Sequence, residues 1–474
     1  MSNSPATGEK HVVLGGGGFL GSNIVRLLKA RGEANVTIVD LRPSRVPGLE
    51  KVPFETADIT SPASLQEVFL KLRPDVVHHT VSPVATASNR SAELFEKVNV
   101  GGTVNVIEAC QKADVKKLVF TSSASVVYDD RDLINVDERM PFPEKIRDPY
   151  METKARAEQL VLLANTDEGA AGLKTCALRP AGIFGPGDVQ YLPGLIEVCK
   201  TGRNKFQVGD NKNLWDVTFV DNIAHAHILA ADRLSGPRAK PYSSELLASV
   251  HLPPKCIGEE ERGTVRDRDV PTSEKRESVQ GAPDYCKELP STLPLSVTQG
   301  QGSETGAPTL DLRPVIRNKY DQFFHIVNPD IPSAGNPIPE TVSIAEDSVS
   351  VAGNVFFITN GQPTPFWDFA RAVWKEYDPS PKGTVDVNKV WKVPRDVGMA
   401  LATVAEYATW LVGTTTTFTR FKISFSCTTR YYNIERARRV LGYEPLVGTE
   451  EGVRRSVQWY KEQERQGTAP AAKI

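Results

Sequence analysis

The stretch HVVLGGGGFLGSNIVRLLKARG, residues 11–32, decides the fold. Its apolar start predicts a buried strand, and the apolar spacing of its second half predicts a helix. Between the two, Gly15, Gly18 and Gly21 form a GxxGxxG pattern. A glycine turn between a strand and a helix lets the backbone approach a pyrophosphate, and the N-terminus of the helix then faces the phosphate charge. We therefore predict that this turn binds a dinucleotide.

The alternation of apolar runs and amphipathic stretches continues to residue 234. Further strands are predicted at 35–40, 75–81, 116–123 and 175–185, and further helices at 64–73, 94–114 and 150–166. Such βαβ alternation builds a parallel sheet with helices on both faces. The predicted fold class is α/β, with a Rossmann-type doubly wound parallel sheet over residues 8–234 and a smaller C-terminal substrate-binding part.

The composition changes near residue 235. Residues 235–318 are polar, rich in Pro, Ser, Glu and Lys, and almost without apolar periodicity, so we predict a disordered insertion. A tolerated surface insertion is favoured over a regulatory or partner-binding segment. Apolar periodicity then returns, and residues 319–465 are predicted to form the substrate-binding part.

Composition also limits the function. The net charge of −2 gives no basic excess, so no nucleic-acid partner is expected. The six cysteines include no CxxC pair and no metal site is expected, and His225 and His227 are interpreted as helix packing. The polar start has no apolar signal region, and no apolar run is long enough to predict a standard membrane span.

Acidic residues lie at the end of the second predicted strand and further along the chain before the next helix. Asp40 ends the second strand, nineteen residues after Gly21, where a carboxylate binds the adenosine ribose hydroxyls. A carboxylate there favours NAD over NADP because it repels a 2′-phosphate, although the nearby Arg42 leaves NADP open. Asp58 and Ile59 lie between the second predicted strand and the helix predicted at 64–73, and they are predicted to contact the adenine, with a surface aspartate as the alternative.

The candidate catalytic residues are Ser123, Tyr150 and Lys154. Tyr150 and Lys154 are four positions apart on a predicted helix and therefore share one face. A nearby ammonium favours the phenolate, which brings the phenol into range for general base catalysis. Ser123 ends a strand, where its hydroxyl is expected to hydrogen-bond the substrate oxygen. A YxxxK pair alone is common and more often lies on a helix surface by chance. The glycine turn and the acidic strand end that precede it favour a catalytic role here.

These motifs, in this order, resemble the extended short-chain dehydrogenase/reductase family. VVLGGGGFLGSNIV (12–25) is similar to the cofactor loop of that family, and SSAS (122–125) with YMETK (150–154) is similar to its Ser–Tyr–Lys set. The fold implied by the resemblance is the same Rossmann-type α/β fold, and the implied activity is hydride transfer with a nicotinamide dinucleotide.

The resemblance assigns roles to particular residues. It implies that Tyr150 is the proton acceptor, that Lys154 lowers the pKa of Tyr150 and binds the cofactor, and that Ser123 positions the substrate hydroxyl. The backbone near Pro180 is implied to face the nicotinamide. The residues expected to contact the cofactor, which is NAD or alternatively NADP, are Gly15, Gly18, Phe19, Leu20, Gly21, Asp40, Asp58, Ile59, Tyr150, Lys154 and Pro180.

Longer motifs narrow the resemblance to the 3β-hydroxysteroid dehydrogenase group. They lie at 116–129, 148–158, 177–188, 206–234, 355–374 and 429–460. Within the group the chain is most similar to fungal enzymes acting on sterol 4α-carboxylates. This implies oxidation of a 3β-hydroxyl with loss of CO2, in the C4 demethylation of sterol biosynthesis. The implied partners are a sterol carboxylic acid substrate and other C4-demethylation enzymes, at the cytoplasmic face of the endoplasmic reticulum membrane.

The stretch VGMALATVAEYATWLVG, residues 397–413, is apolar but too short and mixed to predict a membrane span. Either it lies in the bilayer interface as a peripheral helix or it is a core or substrate-lid helix. Nearby Arg395, Arg420 and Lys422 are candidates for contact with lipid head groups or with the substrate carboxylate.

Two other functions remain open at this point. The first is another extended short-chain dehydrogenase, such as a nucleotide-sugar epimerase or a ketoreductase of secondary metabolism, and the apolar stretch 397–413 argues against a polar sugar-nucleotide site. The second is a non-catalytic NAD-binding scaffold, against which the complete Ser–Tyr–Lys set argues. Leu14 and Val81 depart from the Thr and Ala usual in the family, which bears on cofactor affinity.

Overall fold

The computed structural model describes residues 5–234, 351–411 and 419–471, apart from gaps at 44–45, 47, 84–90, 129, 139, 141, 144–145, 147, 167–171 and 435. The strands of these residues are β1 (His11–Leu14), β2 (Val36–Asp40), β3 (Phe54–Thr56), β4 (Val76–His79), β5 (Lys117–Thr121), β6 (Leu133–Val136), β7 (Lys174–Pro180), β8 (Gly182–Phe184), β9 (Phe206–Val208), β10 (Leu214–Trp215), β11 (Val217–Phe219), β12 (Asn354–Ile358), β13 (Thr364–Pro365), β14 (Trp391–Val393) and β15 (Arg430–Tyr432).

The helices alternate with the strands in the first half of the chain. They are α1 (Phe19–Arg31), α2 (Pro62–Leu72), α3 (Ala92–Phe95), α4 (Gly102–Lys112), α5 (Pro149–Leu163), α6 (Leu192–Lys200), α7 (Val220–Arg233), α8 (Phe366–Tyr377), α9 (Arg395–Leu411), α10 (Arg420–Cys427) and α11 (Thr449–Arg465). Shorter 3₁₀ and π turns lie at Glu96–Gly101, Ala124–Val127, Arg203–Lys205, Val387–Lys389 and Ala437–Leu441.

Seven strands form one parallel sheet in the order β3-β2-β1-β4-β5-β7-β12. The chain winds one way from β1 to β3 and the other way from β4 to β12, so the sheet is doubly wound as predicted. The direction reverses between β1 and β4, and ligands of such sheets bind in the crevice outside the carboxyl ends of the strands at that point.

The core lies on both faces of this sheet because side chains alternate along each strand. Val13 and Ile38 face the side covered by α1 and α7, where they join one apolar cluster. Val12 and Leu14 face the side covered by α2, α4 and α5 and join another. Strands buried on both faces read as continuous apolar runs, which is the pattern of HVVL.

The structure differs from the predicted organisation in two places. β12 lies beyond the predicted domain boundary at residue 234 yet pairs with β7, so the boundary divides the sheet. The predicted helix at 94–114 is interrupted by the π turn Glu96–Gly101 between α3 and α4. The predicted insertion 235–318 and the beginning of the 319–465 part lie outside the described residues.

The remaining strands build the smaller part beside the carboxyl ends of the sheet. β13, β10, β15 and β6 form a four-stranded sheet, and two further pairs join β11 to β8 and β14 to β9. An apolar cluster that includes Phe184, Trp215 and Phe369 ties α6 and α8 to α11. β6 follows β5 and pairs with β15, and β8 follows β7 and pairs with β11. The smaller part is therefore joined to the segments beyond β5 and β7, and Ser123 lies just after β5.

Candidate active site

The glycine turn between β1 and α1 is built for close backbone approach. Gly15 has φ +77°, a conformation that L side chains rarely adopt. A Cβ on Gly15 would lie 2.8 Å from Thr80 Oγ1, and one on Gly21 would lie 2.2 Å from the Gly15 carbonyl oxygen. The turn therefore has no room for side chains at Gly15 and Gly21, and its main chain lies at the switch point of the sheet.

The end of α1 and the end of β2 complete this cradle. Gly18 is the N-cap of α1 and offers no side-chain cap, which leaves the first N–H groups of the helix for a ligand. The Asp40 carboxylate accepts hydrogen bonds from the Gly17 N–H at 3.0 Å and the Leu41 N–H at 2.7 Å. Asp40 is thereby fixed beside the turn, where a ribose diol would lie. The free N–H groups at the start of α1 and the Asp40 carboxylate together fit a dinucleotide.

The other residues predicted to contact the cofactor are more dispersed. Phe19 begins α1 and lies against Gly187, whereas the Leu20 and Ile59 side chains are buried in the apolar clusters on opposite faces of the sheet. Asp58 accepts a hydrogen bond from the Thr60 N–H at 2.8 Å, which closes a turn. Pro180 ends β7. The structure therefore brings Asp40 to the glycine turn, but gives Leu20 and Ile59 side chains that pack in the core.

Ser123 and Tyr150 are adjacent beyond the end of β5. Ser123 caps the turn at 124–127, where its Oγ accepts a hydrogen bond from the Ser125 N–H at 3.2 Å. Asp148 caps α5 by accepting from the Tyr150 N–H at 2.9 Å, which fixes Tyr150 in the first turn. Ser123 Oγ hydrogen-bonds Ser125 Oγ at 2.8 Å and lies near enough to the Tyr150 phenol to lower its pKa. One substrate oxygen can therefore meet both hydroxyls.

The pKa of Tyr150 differs from the prediction. Burial of the phenol and the negative charge of Asp148 raise the pKa, and the Ser123 hydrogen bond lowers it by less. Lys154 Nζ donates to the Thr121 carbonyl and lies 4.2 Å from the centre of the Phe120 ring. The predicted lowering of the Tyr150 pKa by Lys154 is therefore not found in this structure, because the ammonium is held by a strand end rather than by the phenol.

Burial lowers the pKa of Lys154 itself to about 7, while Glu158 on the next turn of α5 raises it. An amine in this range is poised to change protonation state near neutral pH. The Lys154 side chain is 2% exposed. It is thus a buried titratable group next to the candidate base, which is a common feature of catalytic sites.

A row of buried histidines lies behind Lys154, and the sequence pattern does not single it out. The His11 and His78 rings are 5.6 Å apart, and the His78 and His227 rings 5.7 Å. His227 Nε2 lies 2.8 Å from Thr121 Oγ1, so Thr121 joins the row to Lys154. Burial lowers the pKa of His11 to about 4 and that of His227 to about 3. Both rings are neutral at pH 7 and bring no repelling charge to the amine.

Asn99 is a second residue that the sequence alone does not find. It lies in the π turn Glu96–Gly101 and is 2% exposed. Its amide donates to Thr153 Oγ1 at 3.0 Å, and its carbonyl oxygen accepts from Ser82 Oγ at 3.0 Å. Asn99 thus links the loop after β4 to α5 between Tyr150 and Lys154. Single π turns are frequent at functional sites.

The basic residues near 397–413 are at the surface. Arg420 pairs with Glu406 at 2.7 Å, with more than half of the Arg420 side chain exposed. Its role toward a substrate carboxylate stays a prediction. Within the described ranges, no group of three or more His, Cys, Asp or Glu side chains is placed to hold a metal ion.

The glycine cradle at the switch point and the Ser–Tyr–Lys set at the neighbouring strand end define a dinucleotide-dependent oxidoreductase of the short-chain dehydrogenase/reductase class. The fold agrees with solved structures of low sequence identity. The crystal structure of gox2253 has a TM-score of 0.56 and 16% identity, covering 97% of this chain and 99% of that one. An epimerase of Methanothermobacter thermautotrophicus has a TM-score of 0.54 and 18% identity, covering 97% and 94%.

The chain belongs to the 3-beta hydroxysteroid dehydrogenase/isomerase family, whose model matches residues 12–246. A Schizosaccharomyces pombe protein named sterol-4-alpha-carboxylate 3-dehydrogenase, decarboxylating, is 35% identical over 94% of this chain and 96% of its own length. The Saccharomyces cerevisiae protein of that name is 30% identical over 95% and 97%. The Homo sapiens protein is 44% identical over 48% of this chain and 58% of its length.

Proposed function

We propose that this protein oxidises the 3β-hydroxyl of a 4α-carboxysterol to the 3-ketone, with loss of CO2. The observation that carries the proposal is the match to the S. pombe sterol-4-alpha-carboxylate 3-dehydrogenase, decarboxylating, over 94% of this chain. The geometry of the candidate site supports it, because a hydroxyl pair and a buried lysine lie beside the dinucleotide cradle. We place the reaction in sterol C4 demethylation.

In the proposed mechanism Tyr150 accepts the proton of the 3β-hydroxyl, and Ser123 holds the substrate oxygen by a hydrogen bond. Bound NAD⁺ would supply the hydride acceptor for C3. The nearby Ser123 hydroxyl favours the phenolate by lowering the Tyr150 pKa, and the bond from Lys154 to the Thr121 carbonyl holds the end of β5 against α5. The ketone then lies β to the carboxylate. The bond to the carboxylate carbon breaks, its electrons pass to the ketone oxygen as an enolate, CO2 leaves, and C4 takes a proton.

The residues that would hold the cofactor are Gly15, Gly18 and Gly21 at the pyrophosphate and Asp40 at the adenosine ribose. Tyr150 and Lys154 lie toward the nicotinamide end, at the carboxyl end of β5. A sterol and a cofactor would therefore meet over Ser123. Relatives in this family use NAD(P), and the carboxylate of Asp40 favours NAD.

Replacing Asp40 with Ser is expected to shift the preference toward NADP. The carboxylate is held against the turn by the Gly17 N–H at 3.0 Å, so its charge faces a bound ribose directly. Loss of charge-assisted hydrogen bonds to the ribose costs about 1.5–3 kcal/mol, which is about a ten- to hundredfold rise in KM for NAD. Steady-state kinetics with both cofactors measure the shift. An unchanged ratio of kcat/KM for NAD and NADP would place the ribose elsewhere.

We further propose that α9 attaches the protein peripherally to the membrane in which its substrate lies, at the cytoplasmic face of the endoplasmic reticulum. Along α9, Val397, Leu401 and Val404 are 49%, 54% and 67% exposed, at the spacing of one helix face. The opposite face packs on α10. Phe206 and Trp391, on the adjoining β9 and β14, extend the exposed apolar surface. Interfacial helices show this pattern of one apolar face.

In the part of the chain that the structure describes, no helix is long and apolar enough to cross a bilayer. We expect the triple variant Val397→Ser, Leu401→Ser, Val404→Ser to bind liposomes about a hundredfold more weakly, at about 1 kcal/mol per partly inserted side chain. Cosedimentation measures the change. The variant Leu70→Ser, Leu163→Ser, on exposed apolar residues elsewhere, is the matched control. Equal binding by all three proteins would remove α9 from the membrane contact.

The proposed substrate class is tested by turnover in detergent micelles. Purified protein and NAD are given a 4α-carboxy-3β-hydroxysterol or, separately, UDP-glucose. NADH absorbance follows oxidation of the sterol, and chromatography of the UDP-sugar follows epimerisation, which leaves NAD unchanged overall. Reduction of NAD by the sterol alone supports the proposal. Conversion of the UDP-sugar without the sterol would assign the chain to the sugar-nucleotide enzymes that share its fold. Cofactor binding with turnover of neither would support the non-catalytic scaffold.

A further inference from the structure

We infer that Arg430 binds the carboxylate of the substrate and selects carboxylated over uncharged sterols. The inference rests on the proposed function and names the group that recognises the 4α-carboxylate.

Arg430 is a buried guanidinium without an acidic partner among the described residues. Arg430 is 4% exposed, and among the described residues only a backbone carbonyl accepts a hydrogen bond from its guanidinium. The other buried arginines of the described chain each pair with a carboxylate, Arg179 at 2.6 Å, Arg371 at 2.9 Å and Arg438 at 3.7 Å. A buried charge is costly unless it is paired. The exception therefore indicates a place for an anionic ligand.

Free hydrogen-bond donors remain around this guanidinium. Nη2 of Arg430 donates to the Phe425 carbonyl oxygen at 3.1 Å, but Nε is buried and has no partner in the described residues. The Tyr191 hydroxyl is also buried and has no hydrogen-bond partner in the described residues. Burial raises the pKa of Tyr191, and the nearby Arg430 charge acts to lower it. Two neighbouring donors without acceptors match the two oxygens of a carboxylate.

Aromatic rings surround the Arg430 guanidinium. The Arg430 guanidinium lies 3.7 Å from the centre of the Phe425 ring and 5.1 Å from that of Tyr128. Trp215 is paired beside Arg430 in the four-stranded sheet, and its ring contacts those of Tyr191 and Phe425. Flat apolar walls around one oriented polar group are typical of small-molecule sites. The set suits a sterol ring system carrying one carboxylate.

The position of this cluster in the fold agrees with the substrate side of the sheet. Tyr128 directly follows the turn that Ser123 caps. β8 comes soon after Pro180, the last residue of β7, and Tyr191 follows β8 at the start of α6. Both aromatic residues therefore come from loops at the carboxyl ends of β5 and β7, the edge where ligands of such sheets bind. Arg430 closes this edge from the smaller part of the protein.

The test compares two sterols in each of three proteins. The sterols are a 4α-carboxy-3β-hydroxysterol and the matching 4α-methyl-3β-hydroxysterol, and the proteins are wild type, Arg430→Met and Arg420→Met. For Arg430→Met we expect kcat/KM for the carboxysterol to fall about ten- to hundredfold, the effect of losing charge-assisted hydrogen bonds. The methyl sterol should change less than about threefold, and Arg430→Lys should recover part of the loss. NAD binding, followed by tryptophan fluorescence, checks that the variants are folded.

The ratio of kcat/KM for the two sterols within one variant separates recognition from folding. A parallel loss for both sterols would make Arg430 a structural residue and overturn the inference. A selective loss in Arg420→Met instead would assign the carboxylate to the exposed arginine and also overturn it. Failure of the wild type to oxidise either sterol is a different result, because it rejects the proposed function itself.

Discussion

Tyr150→Phe is expected to lower kcat for sterol oxidation by about 10²–10⁴-fold, the range for removal of a general acid–base group. The substitution removes only the phenolic oxygen, whose pKa the nearby Ser123 hydroxyl lowers. The ring of Tyr150 also packs against Phe95, with centroids 5.7 Å apart, and this contact remains in the variant. The loss should therefore fall on kcat, with NAD affinity kept within about threefold.

Tyr377→Phe is the matched control for this prediction. Its hydroxyl, at the end of α8, donates to Glu464 on α11 at 3.0 Å, and neither residue belongs to the candidate site. Single-turnover kinetics give the chemical rate, and NAD titration gives the affinity. If Tyr150→Phe kept more than about a tenth of the wild-type rate, the proton would have another acceptor, and the buried amine of Lys154 would be the next candidate.

Glu158→Gln is expected to lower the free energy of unfolding by about 3–5 kcal/mol. Removing one partner of a buried ion pair leaves the other charge, here that of Arg179, without compensation. Glu158 is fully buried, and its carboxylate accepts from Arg179 Nε at 2.9 Å and Nη2 at 2.6 Å. It also accepts from Ser122 Oγ at 2.6 Å. These bonds join α5 to β7 and to the segment that carries Ser123, so the effect should reach the candidate site.

The comparison for Glu158→Gln is Glu96→Gln, which removes the same kind of bidentate pair at the surface. Glu96 bonds Arg156 at 2.7 and 2.9 Å, with both side chains about half exposed. Exposed pairs contribute about 0–1 kcal/mol, so this variant should unfold almost as the wild type does. Urea unfolding followed by tryptophan fluorescence measures both. Equal losses in the two variants would mean that the buried pair adds no more stability than the surface pair.

Local patterns predicted most strands of the sheet and the glycine turn between β1 and α1. The apolar run HVVL, the glycine spacing and Asp40 at a strand end are all contained in the first forty residues, and neighbouring strands of a βαβ unit follow one another in sequence. β12 was not assigned to this sheet, because it pairs with β7 across more than a hundred residues of intervening chain. Pairing at that range leaves no periodic signal.

The roles of the candidate site residues stay predictions, and the sequence alone did not indicate which groups their side chains contact. The YxxxK spacing placed Tyr150 and Lys154 on one face, but which acceptor holds the ammonium depends on the end of β5, and that acceptor is a backbone carbonyl. Asn99 depends on a π turn, and the histidine row on three separate elements. Arg430 is one arginine among many in the sequence. Only burial among aromatic rings without a carboxylate marks it.

The most direct measurement uses a 4α-carboxysterol labelled with ¹³C in the carboxyl group, incubated with wild-type protein and NAD. NADH is followed by absorbance, and labelled CO2 and the sterol product by mass spectrometry. We expect equal amounts of NADH and labelled CO2, a ketone lacking the label, and loss of both signals in Tyr150→Phe. NADH formation with the label retained in the sterol would contradict the decarboxylation, and absence of NADH would contradict the oxidation itself.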